Sequence, residues 1–144
     1  MQRIRSRQQF QAVMAGAPVA KTPHFALHCA LLDGPSDGHP LFPVKDTWIG
    51  VLLPKRWAKR AVTRNAIRRQ IYETARLRVD GLPQAALVVR LRSTFNRQEF
   101  FSASSDALKR AVRAELDQLY SQLARRAARP AVVAPVAEVV RAAV

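Results

Sequence analysis

The sequence predicts one small α+β domain whose helices and strands follow in the order α-β-β-α-β-α. Its 144 residues are the length of one ordinary domain, and a hydrophobic content of 49% is enough for a core. Two apolar segments, residues 47–53 and 86–91, flank a long basic segment with helical spacing, which predicts a parallel pair of strands joined by a helix. We place the domain in residues 1–129 and a loose tail in residues 130–144.

The first predicted helix covers residues 3–15. Phe10 and Met14 recur at helical spacing, Ser6 is a suitable N-cap, and Gly16 is a suitable stop. Packing in the core is a sufficient explanation for Phe10 when the pattern is taken by itself.

The first predicted strand covers residues 24–32 and alternates between two faces. One face is predicted to be core, and Cys29 lies on it as a buried thiol. The opposite face is small or polar, so it is either exposed to solvent or a shallow floor against which a ligand lies. Its members are His24, Ala26, His28 and Ala30.

The second predicted strand, residues 47–53, ends at Pro54 and leads into the second helix, predicted for residues 57–78. The apolar residues of this helix form no single stripe, so either it packs on two neighbours or its first turn is irregular. The third strand covers residues 86–91. A last helix, residues 105–127, has a continuous apolar face made of Leu108, Val112, Leu116, Leu119, Tyr120 and Leu123.

The sequence contains no recognisable catalytic or metal-binding pattern. With three His and one Cys, there is no nucleophile elbow, paired-carboxylate or zinc spacing. Cys29 points away from the histidines of its strand, which disfavours a metal site there. The loop acids Asp33, Asp37 and Asp46 are expected to be solvated turn formers, although a carboxylate site for Mg²⁺ stays open.

The expected cellular location is inferred from the cysteine count and from the absence of targeting and membrane patterns in the sequence. The single cysteine forms no internal disulfide, and no secretory leader or apolar run of about 20 residues is present. We therefore expect a protein of the cytoplasm with no membrane segment.

Charge points to nucleic acid as the partner. Lys and Arg number 24 against 10 acids, giving a net charge of +14. Residues 55–73 hold seven of these cations, and Glu73 is the only acid among them. Read as a helix, the segment repeats Arg at every fourth position, and such like-charged neighbours repel each other. This pattern favours a polyanion that supplies the missing negative charge, although a merely basic surface is the simpler alternative.

The segment PKRWAKRAVTRNAIRRQIYE, residues 54–73, resembles the signature of the protein subunit of bacterial ribonuclease P. Weaker similarities cover most of the chain: Phe10 with Val13 in the first helix, the alternating first strand, residues 49–51, residues 76–78 followed by Leu82-Pro83, and the strand ALVVRL. The run at residues 59–69 is the most specific part.

The resemblance implies an α-β-β-(β)-α-β-α fold with a mixed sheet and a left-handed β-α-β crossover, although general rules favour right-handed connections. It also implies that an RNA subunit is the catalyst and removes the 5′ leader of precursor tRNA with Mg²⁺. The protein then binds the RNA subunit and the leader, contributes no catalytic residue, holds no metal of its own and needs no obligate protein partner.

The resemblance further implies two sets of contact residues. The RNA-binding set comprises Lys55, Arg56, Lys59, Arg60, Arg64, Asn65, Arg68 and Arg69. The cleft for the leader comprises Phe10, Met14, Ala26 and His28. The chain departs from the family pattern at Ala66 and Tyr72, where arginine is common, so two expected cations are missing.

Two other functions fit the charge and the fold. A structural RNA-binding protein of ribosomal type shares both but needs no leader cleft. A self-sufficient basic nuclease would cleave RNA without any RNA subunit.

Overall fold

The fold consists of three helices and a five-stranded sheet, seen in a computed structural model that describes residues 1–32, 41–95 and 106–127. A short 3-10 helix, Val79–Gly81, follows the second α-helix. In chain order the elements are β1 Gln2–Arg3, α1 Arg7–Met14, β2 Ala20–Lys21, β3 Phe25–Ala30, β4 Trp48–Leu52, α2 Ala61–Leu77, β5 Ala86–Leu91 and α3 Asp106–Ala127.

The sheet is mixed, with strand order β1-β4-β5-β3-β2. β4 pairs in parallel with β5 and with β1, whereas β3 is antiparallel to β5 and β2. The predicted α+β class and the parallel pair are therefore confirmed. β1 and β2 are two residues long and were not predicted. The left-handed crossover stays a prediction.

Side chains of β4 alternate between two hydrophobic layers. Ile49 and Val51 join the larger cluster under α2 and α3, whereas Trp48 joins a smaller cluster on the opposite face. Ile4 and Val13 close the smaller cluster from the α1 side. The sheet therefore has a helix layer on each face.

The α1 helix is anchored at its start by a complete capping box. Ser6 Oγ accepts from the Gln9 backbone amide at 3.1 Å, and Gln9 Oε1 accepts from the Ser6 amide at 3.2 Å. The Ser6 cap is confirmed, and the helix is shorter at its N-terminus than predicted. Gly50 lies beneath the helix: a Cβ built there falls 2.9 Å from Phe10 Cε1. The absence of a side chain lets Phe10 pack directly on the sheet.

The second face of β3 is not exposed to solvent, so that alternative is wrong. Ala26 is 0% exposed and His28 is 4% exposed. The α1 layer explains part of this burial, because the carbonyl of Gly16, just after the helix, accepts from His28 Nδ1 at 3.2 Å. Arg90 on β5 is the cross-strand partner of Ala26 and contacts His28 from the other side.

The α2 helix begins at Ala61, so its predicted start at Trp57 is wrong. The amide of Trp57 donates to the Pro54 carbonyl at 3.0 Å, which closes a turn. The Trp57 carbonyl accepts from Thr94 Oγ1 at 2.7 Å instead of from a helical amide. Arg60 has extended backbone, with φ −84° and ψ 132°, and is the N-cap. Irregularity at the start of the helix is therefore confirmed, and so is the other alternative, because α2 packs on two neighbours, α3 and β4.

The described residues of the C-terminal half match their prediction closely. β5 has the predicted bounds, and α3 is described over Asp106–Ala127, within the predicted range 105–127. All six predicted core residues of α3 are buried. Residues 33–40, with Asp33 and Asp37, and the predicted tail at 130–144 lie outside the described residues. The domain boundary at residue 129 stays a prediction. In the described part of the chain, no helix has the length and hydropathy needed to cross a membrane.

Replacing Gly50 with alanine is expected to destabilise the fold by about 1–3 kcal/mol, because the new methyl group overpacks the α1 layer. Phe10 Cε1 at 2.9 Å and Ile4 Cβ at 3.1 Å are its nearest neighbours. Ile4 Cβ is next to the backbone and has little freedom to move. Urea denaturation measures the change.

Gly81→Ala is the matched control, because a Cβ at Gly81 has nothing within 4 Å. This variant should retain the wild-type unfolding free energy or gain slightly from reduced freedom of the unfolded chain. Equal stability of the two variants would contradict the close packing of α1 on Gly50.

Candidate nucleic-acid interface

The first part of the candidate interface is an exposed turn, residues 54–60, between β4 and α2. Its cationic side chains project into solvent, while Ala58 is buried and fixes the turn to the core. Trp57 is half-buried and lies under the guanidinium of Arg56, whose Cζ is 5.2 Å from the ring centroid. The exposed cations of the turn are Lys55, Arg56, Lys59 and Arg60.

Arg64 holds this turn against the helix. Its Nη1 donates to the carbonyls of Ala58 and Lys59, both at 2.9 Å. These two carbonyls belong to the non-helical segment, so the guanidinium replaces the amide donors that a continuous helix would provide. Arg64 therefore orients its cationic neighbours as well as adding a charge.

The next turn of α2 carries Asn65, Arg68 and Arg69 on its exposed side. Arg68 Nη1 donates to Asn65 Oδ1 at 3.1 Å, which leaves the amide group of Asn65 available as a donor. Within residues 1–32, 41–95 and 106–127, none of the seven predicted cations forms an ion pair with a carboxylate. The predicted RNA-binding residues thus form one continuous cationic surface from the turn onto α2.

A groove between β1 and α2 extends this surface and was missed by sequence reasoning. It has a volume of about 420 Å³. Arg3 and Arg76 belong to it, and Arg3 lies over the ring of Tyr72 with its Cζ 4.1 Å from the centroid. The sequence signal was weak, because a two-residue strand has no periodicity of its own. We call this the β1–α2 groove; it is lined by Met1, Arg3, Asn65, Arg68, Arg69, Tyr72, Glu73 and Arg76.

The predicted leader cleft lies on the α1 face of the sheet. Phe10 and Met14 are half-buried and pack against the smaller hydrophobic cluster. Ala26 and His28 lie on the same side but are buried. The structure thus brings the four residues to one layer but presents only the two from α1 at its surface.

Arg90 and Leu52 were missed on this face. Arg90 is half-buried and donates its Nε–H to His28 Nε2 at 3.3 Å, and Leu52 is 37% exposed on β4. A signal for Arg90 was present in the sequence, since a charged residue interrupts an otherwise apolar strand. Burying such a charge is costly, so it generally reaches solvent or a partner.

His28 is held in its neutral form by its surroundings. Burial is the main cause that lowers the pKa of His28; the hydrogen bond to the Gly16 carbonyl opposes it in part, and the positive charges of Arg90 and Lys21 lower the pKa by smaller amounts. Nδ1–H donates to that carbonyl and Nε2 accepts from Arg90. This tautomer fixes Arg90 in place beside the α1 layer.

Cys29 lies in the larger core cluster, as predicted. Burial raises the pKa of the Cys29 thiol to about 11, so it stays protonated and unreactive at neutral pH. Among the described residues, no group of three or more His, Cys, Asp or Glu side chains is placed to hold a metal ion.

Comparison with known proteins assigns the chain to a family. The family model described as Ribonuclease P matches residues 1–120. The ribonuclease P protein component of Ralstonia pickettii is 34% identical over 134 residues, covering 92% of this chain and 86% of the relative. The one from Bordetella parapertussis is 36% identical over 126 residues, covering 85% and 92%.

Solved structures agree at the level of the fold. The RNase P protein of Staphylococcus aureus superposes with a TM-score of 0.61 at 16% identity, covering 84% of this chain and 94% of its own. The protein from Thermotoga maritima gives 0.59 at 18% identity, covering 87% and 97%. With the family model matching most of its length, this chain belongs to the ribonuclease P protein family.

Proposed function

We propose that this chain is the protein subunit of a bacterial ribonuclease P, an endoribonuclease that removes the 5′ leader of precursor tRNA in the cytoplasm. The observation that carries the proposal is the continuous cationic surface of the 54–60 turn and α2, whose cations have no carboxylate partner among the described residues. The RNA subunit is assigned the cleavage chemistry and its Mg²⁺. The protein contributes binding and orientation.

The cationic surface is proposed to dock on the RNA subunit. Arg side chains fork onto phosphate oxygens, and Asn65 offers the donor and acceptor that sugar hydroxyls and base edges require. Docking on phosphates also offsets the repulsion among Lys59, Arg60 and their neighbours in the turn. Because Arg64 is engaged with the turn's carbonyls, its main proposed task is to position these cations.

The α1 face is proposed to bind the leader. Phe10 and Met14 offer apolar surface for unstacked bases of the leader. Arg90, on the sheet beside them, offers a cation for the phosphate backbone of the leader. Since Ala26 and His28 are buried beneath, they support this surface, and His28 does so by orienting Arg90. Leader binding and RNA-subunit binding are thus assigned to different surfaces.

Reconstitution tests the proposal. Purified protein is added to a bacterial ribonuclease P RNA at an Mg²⁺ concentration at which the RNA alone fails to cleave precursor tRNA. The expected result is restored cleavage at the 5′ end of the mature sequence, because neutralised phosphates lower the RNA's need for cations. Protein without RNA should leave the precursor intact.

Other outcomes assign the chain elsewhere. Binding to the RNA without restored cleavage, and equal affinity for precursor and mature tRNA, would indicate a structural RNA-binding protein. Cleavage by protein free of RNA would indicate a nuclease in its own right.

Arg68→Ala is expected to weaken binding to the RNA subunit and to reduce the salt dependence of binding by a slope of about 0.7–0.9 per lost phosphate contact. Arg68 is exposed, and its one described hydrogen bond is to Asn65, so folding should be little affected. A salt titration of affinity gives the slope.

Arg125→Ala is the matched control, since it also removes one exposed arginine from a helix. Arg125 lies in the last turn of α3, where its charge interacts favourably with the helix dipole. This variant should keep the wild-type slope. If both variants change the slope equally, the loss reflects net charge and not a contact at Arg68.

Phe10→Leu is expected to reduce the preference for precursor over mature tRNA several-fold, because base stacking on an aromatic ring contributes about 1–3 kcal/mol. Leucine keeps an apolar side chain on Gly50, so the unfolding free energy should fall by less than about 1.5 kcal/mol. Affinities for both tRNAs, measured with the RNA subunit present, report the preference. A stability loss with an unchanged preference would make Phe10 a core residue only.

A further inference from the structure

We propose that the β1–α2 groove is a second contact with the RNA subunit, in which Arg3 binds a backbone phosphate while Tyr72 holds its guanidinium in place. The inference rests on the proposed function and extends it to residues outside the segment 55–69. It concerns β1 and the C-terminal half of α2.

Strand pairing determines the side on which Arg3 lies. The amides of Gln2 and Ile4 donate to the carbonyls of Thr47 and Ile49, each at 2.8 Å, so β1 extends the sheet beside β4. Ile4 is 3% exposed and packs in the α1 layer. Because side chains alternate along a strand, Arg3 points to the opposite side, where α2 lies.

Tyr72 fixes the guanidinium of Arg3. The ring is half-buried and packs against the larger hydrophobic cluster, so its orientation is set by the core. Arg3 Cζ lies 4.1 Å from the ring centroid, within the range of a cation–π contact. Among the described residues, the side-chain N–H groups of Arg3 have no hydrogen-bond acceptor, so these donors remain available. Those donors match the geometry of phosphate oxygens.

The charge of the groove favours an anion. Four guanidiniums line it, and its one carboxylate, Glu73, is drawn toward Arg113 on α3 at 3.4 Å. In the described ranges of the chain, none of the four forms an ion pair with a carboxylate. The four are Arg3, Arg68, Arg69 and Arg76.

The groove is continuous with the cationic surface proposed to dock on the RNA subunit, and this favours the same RNA as the bound anion. Asn65, Arg68 and Arg69 belong both to the groove and to the surface proposed to dock on the RNA subunit. A strand whose phosphates follow α2 from the 54–60 turn therefore enters the groove without leaving the cationic surface. A groove volume of about 420 Å³ accommodates a sugar–phosphate segment.

Arg3→Ala tests the groove by its effect on affinity for the RNA subunit alone, with no precursor tRNA present. Loss of one phosphate contact should lower the salt slope by about 0.7–0.9 and the affinity about three- to fivefold near 150 mM salt. Arg3→Lys keeps the charge but not the planar fork, so its slope should stay closer to wild type. Arg5→Ala is the matched control: Arg5 is exposed two residues away and should leave the slope within a few tenths of wild type.

Tyr72→Leu tests the role of the ring. It removes the cation–π contact while keeping an apolar side chain against the core, so affinity should fall about two- to fivefold. In the Tyr72→Leu background, Arg3→Ala should have a smaller effect than in the wild type, because the guanidinium is no longer held in place.

The outcomes separate this inference from the proposed function. Wild-type protein that restores cleavage at low Mg²⁺, together with an Arg3→Ala variant of unchanged slope, overturns the inference and leaves the function standing. Lower thermal stability of Arg3→Ala with an unchanged slope makes the pair a structural clamp for β1, which also overturns it. An effect seen only when the precursor's leader is present assigns the groove to the leader instead. Failure of the wild-type protein to restore cleavage counts against the proposed function itself.

Discussion

Packing of the buried side of α2 is the interaction on which the rest of the structure depends. Ile67 and Ile71 are almost completely buried under α3, and Tyr120 Oη donates to the Ile71 carbonyl at 3.3 Å. Full burial of each isoleucine contributes about 1.5–3 kcal/mol, whereas like charges on one helix repel by a few tenths of a kcal/mol per pair. Core packing therefore outweighs the repulsion and keeps the cations in place without neighbouring acids.

The N-terminus of α2 adds to the positive field instead of reducing it. A helix N-terminus carries partial positive charge and is usually stabilised by an acid or a hydroxyl cap. Here Arg60 is the N-cap, with no side-chain cap and no acid in the first turn. Local energetics disfavour this arrangement, and it is maintained by contacts from elsewhere, such as Thr94 with the Trp57 carbonyl and Arg64 with the turn. This is the arrangement expected where an external anion is the missing partner.

Sequence patterns predicted the elements that are determined by their own side chains. β5 and α3 have long apolar patterns; the bounds of β5 were correct, and α3 is helical as predicted throughout its described residues, Asp106–Ala127. The predicted start of α2 was wrong, because residues 57–60 have a sequence that is compatible with a helix but adopt another conformation. Hydrogen bonds from Thr94, which is distant in sequence, and from Arg64, in the first turns of α2, decide that conformation. β1 and β2 were missed for a related reason, since a two-residue strand is recognised only by its partner.

The candidate site, like the fold, was predictable from the sequence only in part. The cationic segment is evident from composition and spacing, and its resemblance to the family signature predicts RNA as its partner. By contrast, the burial of Ala26 and His28 depends on what covers β3, which an alternating pattern does not encode. The contribution of Arg3 likewise depends on β1 lying beside β4, so that a residue far away in sequence stacks on Tyr72.

β4 links the two proposed surfaces through its alternation. Ile49 faces the layer that supports α2, and its neighbour Gly50 faces α1, where the missing side chain admits Phe10. A residue larger than glycine at position 50 displaces the leader surface, whereas a smaller residue at position 49 loosens the core beneath the RNA-subunit surface. Because positions 49 and 50 face opposite sides of one strand, substitutions at each position perturb one surface separately, while the sheet keeps the relative orientation of the two surfaces. On the proposed assignment, that fixed orientation is how a small protein holds the leader in a constant position relative to the catalytic RNA.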